Sequence, residues 1–225
     1  MIDLKKQKYI ILSIIIFACL CMGLVDAVIQ PGYMAKSAIK MVMFLILPII
    51  YAAWDKNCSL KHLFVPNAKG FWLALGLGAA VYAFVLCAYL LFKNVFDFSS
   101  ITSALTSQTG VNKDNFIFVA IYISFANSLL EEFFFRGFAF LTLKKVSSRK
   151  FAYVVSALCF ALYHIAMMIG WFGLPVVLLA MLGLFVGGLI FNYFNEKYDN
   201  IYLSWLIHMF ANFATNTIGF ILFAA

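Results

Sequence analysis

Apolar residues in this chain do not alternate with polar ones. They run together in long blocks, and the blocks are separated by short stretches that carry most of the Lys, Asp, Asn, Gly and Pro. Alternation at a period of two would mark half-buried strands or a membrane barrel, so its absence excludes both. A helix rising about 1.5 Å per residue needs about 20 residues to cross the hydrocarbon, and this ruler predicts seven spans, at roughly 9–29, 38–54, 71–92, 116–143, 151–169, 174–194 and 201–223. The connections are short, except for a polar segment from Asn94 to Asn115 that is either a loop or a helix lying along the interface. Pro66 and Gly70 announce the third span. No tandem repeat, low-complexity tract or second domain interrupts the pattern. The expected fold is all-α, a single polytopic membrane helix bundle over residues 1–225.

Composition sharpens this. With 65% hydrophobic residues, 11% charged residues and a mean hydropathy of +1.00, the 225-residue chain lacks the polar side chains to cover a soluble surface. It reads as an integral, multi-pass protein, expected in the cell membrane. The net charge of +7 does not indicate nucleic acid, because the basic residues sit in clusters between apolar runs and act as topology signals. With the N-terminus inside, eleven fall on the cytoplasmic side: Lys5, Lys6, Lys8, Lys56, Lys61, Lys69, Lys144, Lys145, Arg149, Lys150 and Lys197. Four fall outside, Lys36, Lys40, Lys93 and Lys113, and Arg136 stays within a span. The expected topology is N-in, C-out. The first apolar run is long and has no small-residue cleavage site before Gln30-Pro31, so it is read as a retained span and not a signal peptide. Five cysteines, none at zinc-site spacing, read as packing residues.

The candidate chemistry lies at Asn127–Gly137, where Glu131, Glu132 and Arg136 stand inside an apolar block. A charge near the middle of a membrane helix costs roughly 2.5 to 3.5 kcal/mol, so three together call for partners and a purpose. His164 and His208 also lie within spans, whereas His62 is in a basic loop. Measured from the cytoplasmic ends, Glu131 lies roughly 18 Å deep, His164 roughly 20 Å, and His208 and Asn212 roughly 10 and 16 Å. Three helices thus bring polar groups to one layer. Glu132 and Arg136 are four residues apart in the favourable order for an ion pair, which makes Glu132 the paired, structural carboxylate. Glu131 points about 100° away, on the face of Asn127 and Ser124. Buried without a full counter-charge, it is the expected general base. His208 and Asn212, four apart with Asn216 extending the stripe, offer two donors suited to a developing oxyanion or, more simply, to an interhelical hydrogen bond.

Glu-Glu-x-x-x-Arg-Gly at Glu131, Glu132, Arg136 and Gly137, Phe-x-x-x-His at Phe160 and His164, and His-x-x-x-Asn at His208 and Asn212 resemble the three motifs of the CAAX protease and bacteriocin-processing (CPBP) family. The resemblance covers residues 115–225, the expected catalytic core. It implies an intramembrane endopeptidase, with Glu131 and His164 activating water and His208 with Asn212 as the oxyanion pocket. Its partners would be a peptide or lipidated protein substrate and membrane lipids, with no cofactor. Neither Gly-x-Ser-x-Gly nor a paired Ser or Cys nucleophile is present, which fits direct attack by water. Three other readings stay open: a zinc site on Glu131, His164 and His208, a transporter-like proton relay, and a non-catalytic immunity or partner protein. Phe133 to Phe135 fit either an aromatic, lipid-open cavity or lipid-facing packing, and Gly183 to Gly188 fit helix packing within one chain or between two.

Overall fold

The computed structural model describes residues 3–55, 58–65, 68–168 and 173–224. Lys56, Pro66 and Ile169, used above for topology and span ends, lie outside the described residues. Among the described residues seven helices are long and apolar enough to cross a membrane: α1 (Leu4–Ile29), α2 (Tyr33–Trp54), α3 (Phe71–Phe92), α5 (Phe116–Val146), α6 (Arg149–Met168), α7 (Leu174–Tyr198) and α8 (Tyr202–Ala224). No strand occurs among the described residues. The polar segment between the third and fourth spans forms an additional helix, α4 (Ser99–Thr109), none of whose residues is buried. Its hydroxyls close on its own turns, Ser103 and Ser107 donating to carbonyls four residues back, which lets a Ser/Thr-rich sequence stay helical outside the core.

The second half of α5 is the centre of the bundle, and every residue from Glu132 to Leu143 is buried. Phe134, Phe135, Phe138 and Phe140 have no exposed surface. Phe44 of α2 stacks on Phe134 with ring centroids 4.2 Å apart, and Phe135 meets Phe160 edge-on at 5.3 Å. Phe133 to Phe135 therefore neither face lipid nor line an open cavity. They are core, because α1, α2, α6 and α7 all pack around this segment. Lipid-facing surface is provided elsewhere. On α7, Leu174, Leu178, Leu182, Val186 and Ile190 recur every four residues and are all exposed, as a helix edge against lipid requires.

Four stretches leave the α-helical register for the wider π turn: Val25–Ile29, Val42–Ile46, Ile123–Asn127 and Glu132–Thr142. Such insertions rotate the face that follows them and free backbone carbonyls, and they recur at functional sites. Two of them flank Ser128–Glu131 in α5.

Polar side chains tie the core helices where small residues let them approach. Ser156 of α6 donates to the Phe135 carbonyl of α5 at 2.7 Å, and Asn192 of α7 donates to the Tyr153 carbonyl at 3.1 Å. Gly188 of α7 sits where a Cβ would lie 3.0 Å from both Cα and Cβ of Ala157, while Gly183 and Gly187 face open space. The glycine that matters in this run packs within the chain. Gly188→Ala is expected to push α7 off α6 at about 1–3 kcal/mol, and Gly187→Ala to leave stability nearly unchanged. Thermal unfolding of the two variants in the same detergent checks the contrast.

Candidate active site

Glu131 ends a single α-helical turn, Ser128–Glu131, held between the two π stretches of α5. The residue is 2% exposed, and its two carboxylate oxygens have unlike surroundings. Oε1 accepts three donors: Lys40 Nζ of α2 at 2.5 Å, Asn127 Nδ2 at 3.0 Å and Tyr163 OH of α6 at 3.0 Å. Oε2 faces two imidazoles, His208 Nε2 at 3.7 Å and His164 Nε2 at 4.0 Å. Those separations are too long for direct hydrogen bonds. They are suited to a water molecule lying between the groups.

Both histidines have their other nitrogen committed. His164 Nδ1 lies 2.7 Å from the Phe160 carbonyl oxygen, an acceptor only, so Nδ1 carries the proton and Nε2 is the free nitrogen. His208 Nδ1 lies 2.9 Å from Glu132 Oε1, which orients that ring in the same sense. The Phe-x-x-x-His and His-x-x-x-Asn patterns thus aim two Nε2 atoms at one carboxylate oxygen.

Glu132 and Arg136 are both fully buried. Arg136 Nε lies 3.4 Å from Glu132 Oε2, and the guanidinium is sandwiched by Phe160 at 4.0 Å and Phe191 at 4.9 Å. No hydrogen-bond partner meets any guanidinium nitrogen or Glu132 Oε2 among the described residues. Charge and the two ring faces hold the pair. Glu132 has a second task beyond the ion pair, since its other oxygen orients His208.

Asn212 is on α8 one turn beyond His208, and its amide donates to the Ile123 carbonyl at 3.1 Å, at the start of a π turn in α5. Asn216 donates to the Ala120 carbonyl at 3.1 Å, and Trp205 to the Phe125 carbonyl at 3.1 Å. The polar stripe of α8 therefore binds the π-turn region of α5 along its length. One Asn212 N–H is spent there, and the amide's second N–H is what remains for a ligand.

Two expectations change. Glu131 does not lack a full counter-charge, because the Lys40 ammonium is in contact with it. Nor is Lys40 an outer-loop charge. It is 5% exposed inside α2, which leaves Lys36, Lys93 and Lys113 on that side of the topology count, with Lys36 itself paired to Asp26 at 2.6 Å. Sequence reasoning also passed over Tyr163. The available signals were a lysine in the middle of an apolar run and a tyrosine beside a motif histidine, and neither names its partner. Among the described residues no three His, Cys, Asp or Glu side chains are gathered so as to hold a metal ion. A groove of about 750 Å³ is lined by residues between Asp3 and Phe17 and by Leu47, and includes none of these groups.

Residues 113–214 match a family model described as type II CAAX prenyl endopeptidase, Rce1-like. This segment resembles the Rce1-like CAAX protease family. It spans a little under half the chain and contains Glu131, Glu132, Arg136, His164, His208 and Asn212. Comparisons with curated proteins and with solved structures each found no match. The three short motifs and the match over residues 113–214 agree, and the apolar helices make the chain an integral multi-pass membrane protein.

Proposed function

We propose that this Rce1-like protein is a glutamate-type intramembrane endopeptidase, in which Glu131 and His164 activate water and His208 with Asn212 receives the charge on the scissile carbonyl. The observation that carries the reading is the asymmetry at Glu131: one oxygen is saturated by three donors, and the other is left facing the Nε2 atoms of His164 and His208. A water between Oε2 and His164 Nε2 loses a proton to the carboxylate as its oxygen attacks the carbonyl carbon. The carbonyl π pair moves onto oxygen. His208 meets that oxyanion when its Nε2 carries a proton, and Glu132 on Nδ1 stabilises the resulting imidazolium. The proton held by Glu131 then passes to the leaving nitrogen, and the C–N bond breaks. Arg136 balances Glu132 through all of these steps.

The chain's own groups supply base, donors and charge balance, so the proposal uses no cofactor, and cleavage is expected to survive chelation. The substrate is proposed to be the C-terminal region of a prenylated or otherwise membrane-bound peptide, reaching the site from the cytoplasmic half in an N-in chain. Small openings at His164 and His208, whose side chains are 12% and 10% exposed, mark the approach, since Glu131 itself is covered.

The test is cleavage of a peptide library, with and without a C-terminal prenyl cysteine, by purified protein in detergent. The wild type is expected to cleave, and His164→Ala and His208→Ala to be inactive. Asn212→Ala should lose about 10²- to 10³-fold in kcat with KM little changed, the signature of a donor used in the transition state. Equal cleavage by wild type and His164→Ala would end the proposal.

A further inference from the structure

We propose that Lys40 is a positioning residue for the Glu131 carboxylate, contributed by the second span to a site whose other polar groups come from α5, α6 and α8. The inference rests on the reading of Glu131 as the base, and it places a functional residue outside the family-matched segment, which begins at residue 113.

Lys40 is in α2 and 5% exposed, so its ammonium is almost wholly covered by protein. An ammonium buried in a span needs a partner of opposite charge. Its polar contacts are Glu131 Oε1 at 2.5 Å and Asn127 Oδ1 at 2.6 Å, and the Tyr163 ring lies 5.0 Å away. The second contact orients the first. Because Asn127 Oδ1 accepts from Lys40, its Nδ2 faces Glu131 Oε1 and donates to it at 3.0 Å. Tyr163 fills the remaining place on that oxygen. Lys40, Asn127 and Tyr163 thus define the plane of the carboxylate, and Oε2 is directed at the two Nε2 atoms as a result.

Charge balance gives the same answer. Glu131 and Glu132 are adjacent and buried, and a base must be ionised to accept a proton. Arg136 pairs with Glu132, and Lys40 pairs with Glu131, one cation for each carboxylate. The π turn at Val42–Ile46 begins two residues after Lys40, so the helix can present Lys40 to Glu131 and still place Phe44 on Phe134.

The full chain in detergent is compared as wild type, Lys40→Met, Lys40→Arg, Glu131→Gln and the Lys40→Met/Glu131→Gln double variant, with the most rapidly cleaved library peptide as probe. Lys40→Met is expected to lose about 10²-fold in kcat per folded molecule, with KM within about threefold, as when a catalytic group is misplaced and the binding surface is intact. Lys40→Arg is expected to recover at least about tenfold of that loss. A strut between helices would show the opposite pattern, with less folded protein and unchanged kcat. Wild-type kcat in Lys40→Met, or equal losses in the Met and Arg variants, overturns the proposal. The thermal cycle tests the pairing without catalysis. The double variant is expected to melt above Glu131→Gln, because it removes the stranded ammonium. Additive losses in melting temperature overturn the pairing. Glu131→Gln retaining activity would instead overturn the assignment of the base, a result distinguishable from a failure confined to Lys40.

Discussion

Glu131→Gln is expected to reduce peptide cleavage by about 10³- to 10⁴-fold, the upper part of the range for loss of a positioned general base. The amide keeps the shape of the side chain and an oxygen for Lys40, Asn127 and Tyr163, but it cannot take a proton from water. The variant should elute as the wild type does on size exclusion in detergent, with a lower melting temperature, because Lys40 then has no anion in contact. Cleavage is measured on the same peptide for both proteins. A glutamine variant within about tenfold of wild type would remove Glu131 from the chemistry, since the uncharged amide has no other way to generate hydroxide.

Arg136→Met carries the second large effect, and it falls on stability. Removing the guanidinium leaves Glu132 fully buried with one oxygen unpartnered, and breaking a buried pair from one side costs about 3–5 kcal/mol. Phe160 and Phe191 also lose the cation between them. Adding Glu132→Gln should recover much of that loss, because no lone charge is left behind, but it should not restore activity, since Glu132 also orients His208. Unfolding in mixed micelles, followed by tryptophan fluorescence, measures the first effect, and cleavage by the double variant measures the second. An Arg136→Met cost below about 1 kcal/mol would mean that the pair contributes no more than an exposed one.

Much of the fold was legible because the bilayer is a demanding solvent. A backbone crossing hydrocarbon has to satisfy its own hydrogen bonds, so an apolar run of about 20 residues has a helix as its answer, and the described spans begin and end within a few residues of the runs. Glu132 and Arg136 could be matched on one helix by spacing alone, for the same local reason. The segment from Asn94 to Asn115 was ambiguous between loop and helix because its Ser and Thr hydroxyls serve either, and it folds into a helix at Ser99–Thr109.

What the residues alone determined about this protein is its class, its spans and the motif residues of its candidate site, since each follows from the period of one helix or from short patterns in order along the chain. What only the tertiary structure decided is who meets whom across helices. Lys40 stands 91 residues before Glu131 in sequence, and nothing local to either distinguishes that lysine from a loop cation. The π stretches at Val42–Ile46, Ile123–Asn127 and Glu132–Thr142 also change the angles that a regular helix would give, so faces on either side of a stretch, such as those of Lys40 and Leu47, cannot be related by a fixed 100° step. Helical periodicity places side chains around one axis. The packing of α2, α5, α6 and α8 in three dimensions determines which of them share a charge.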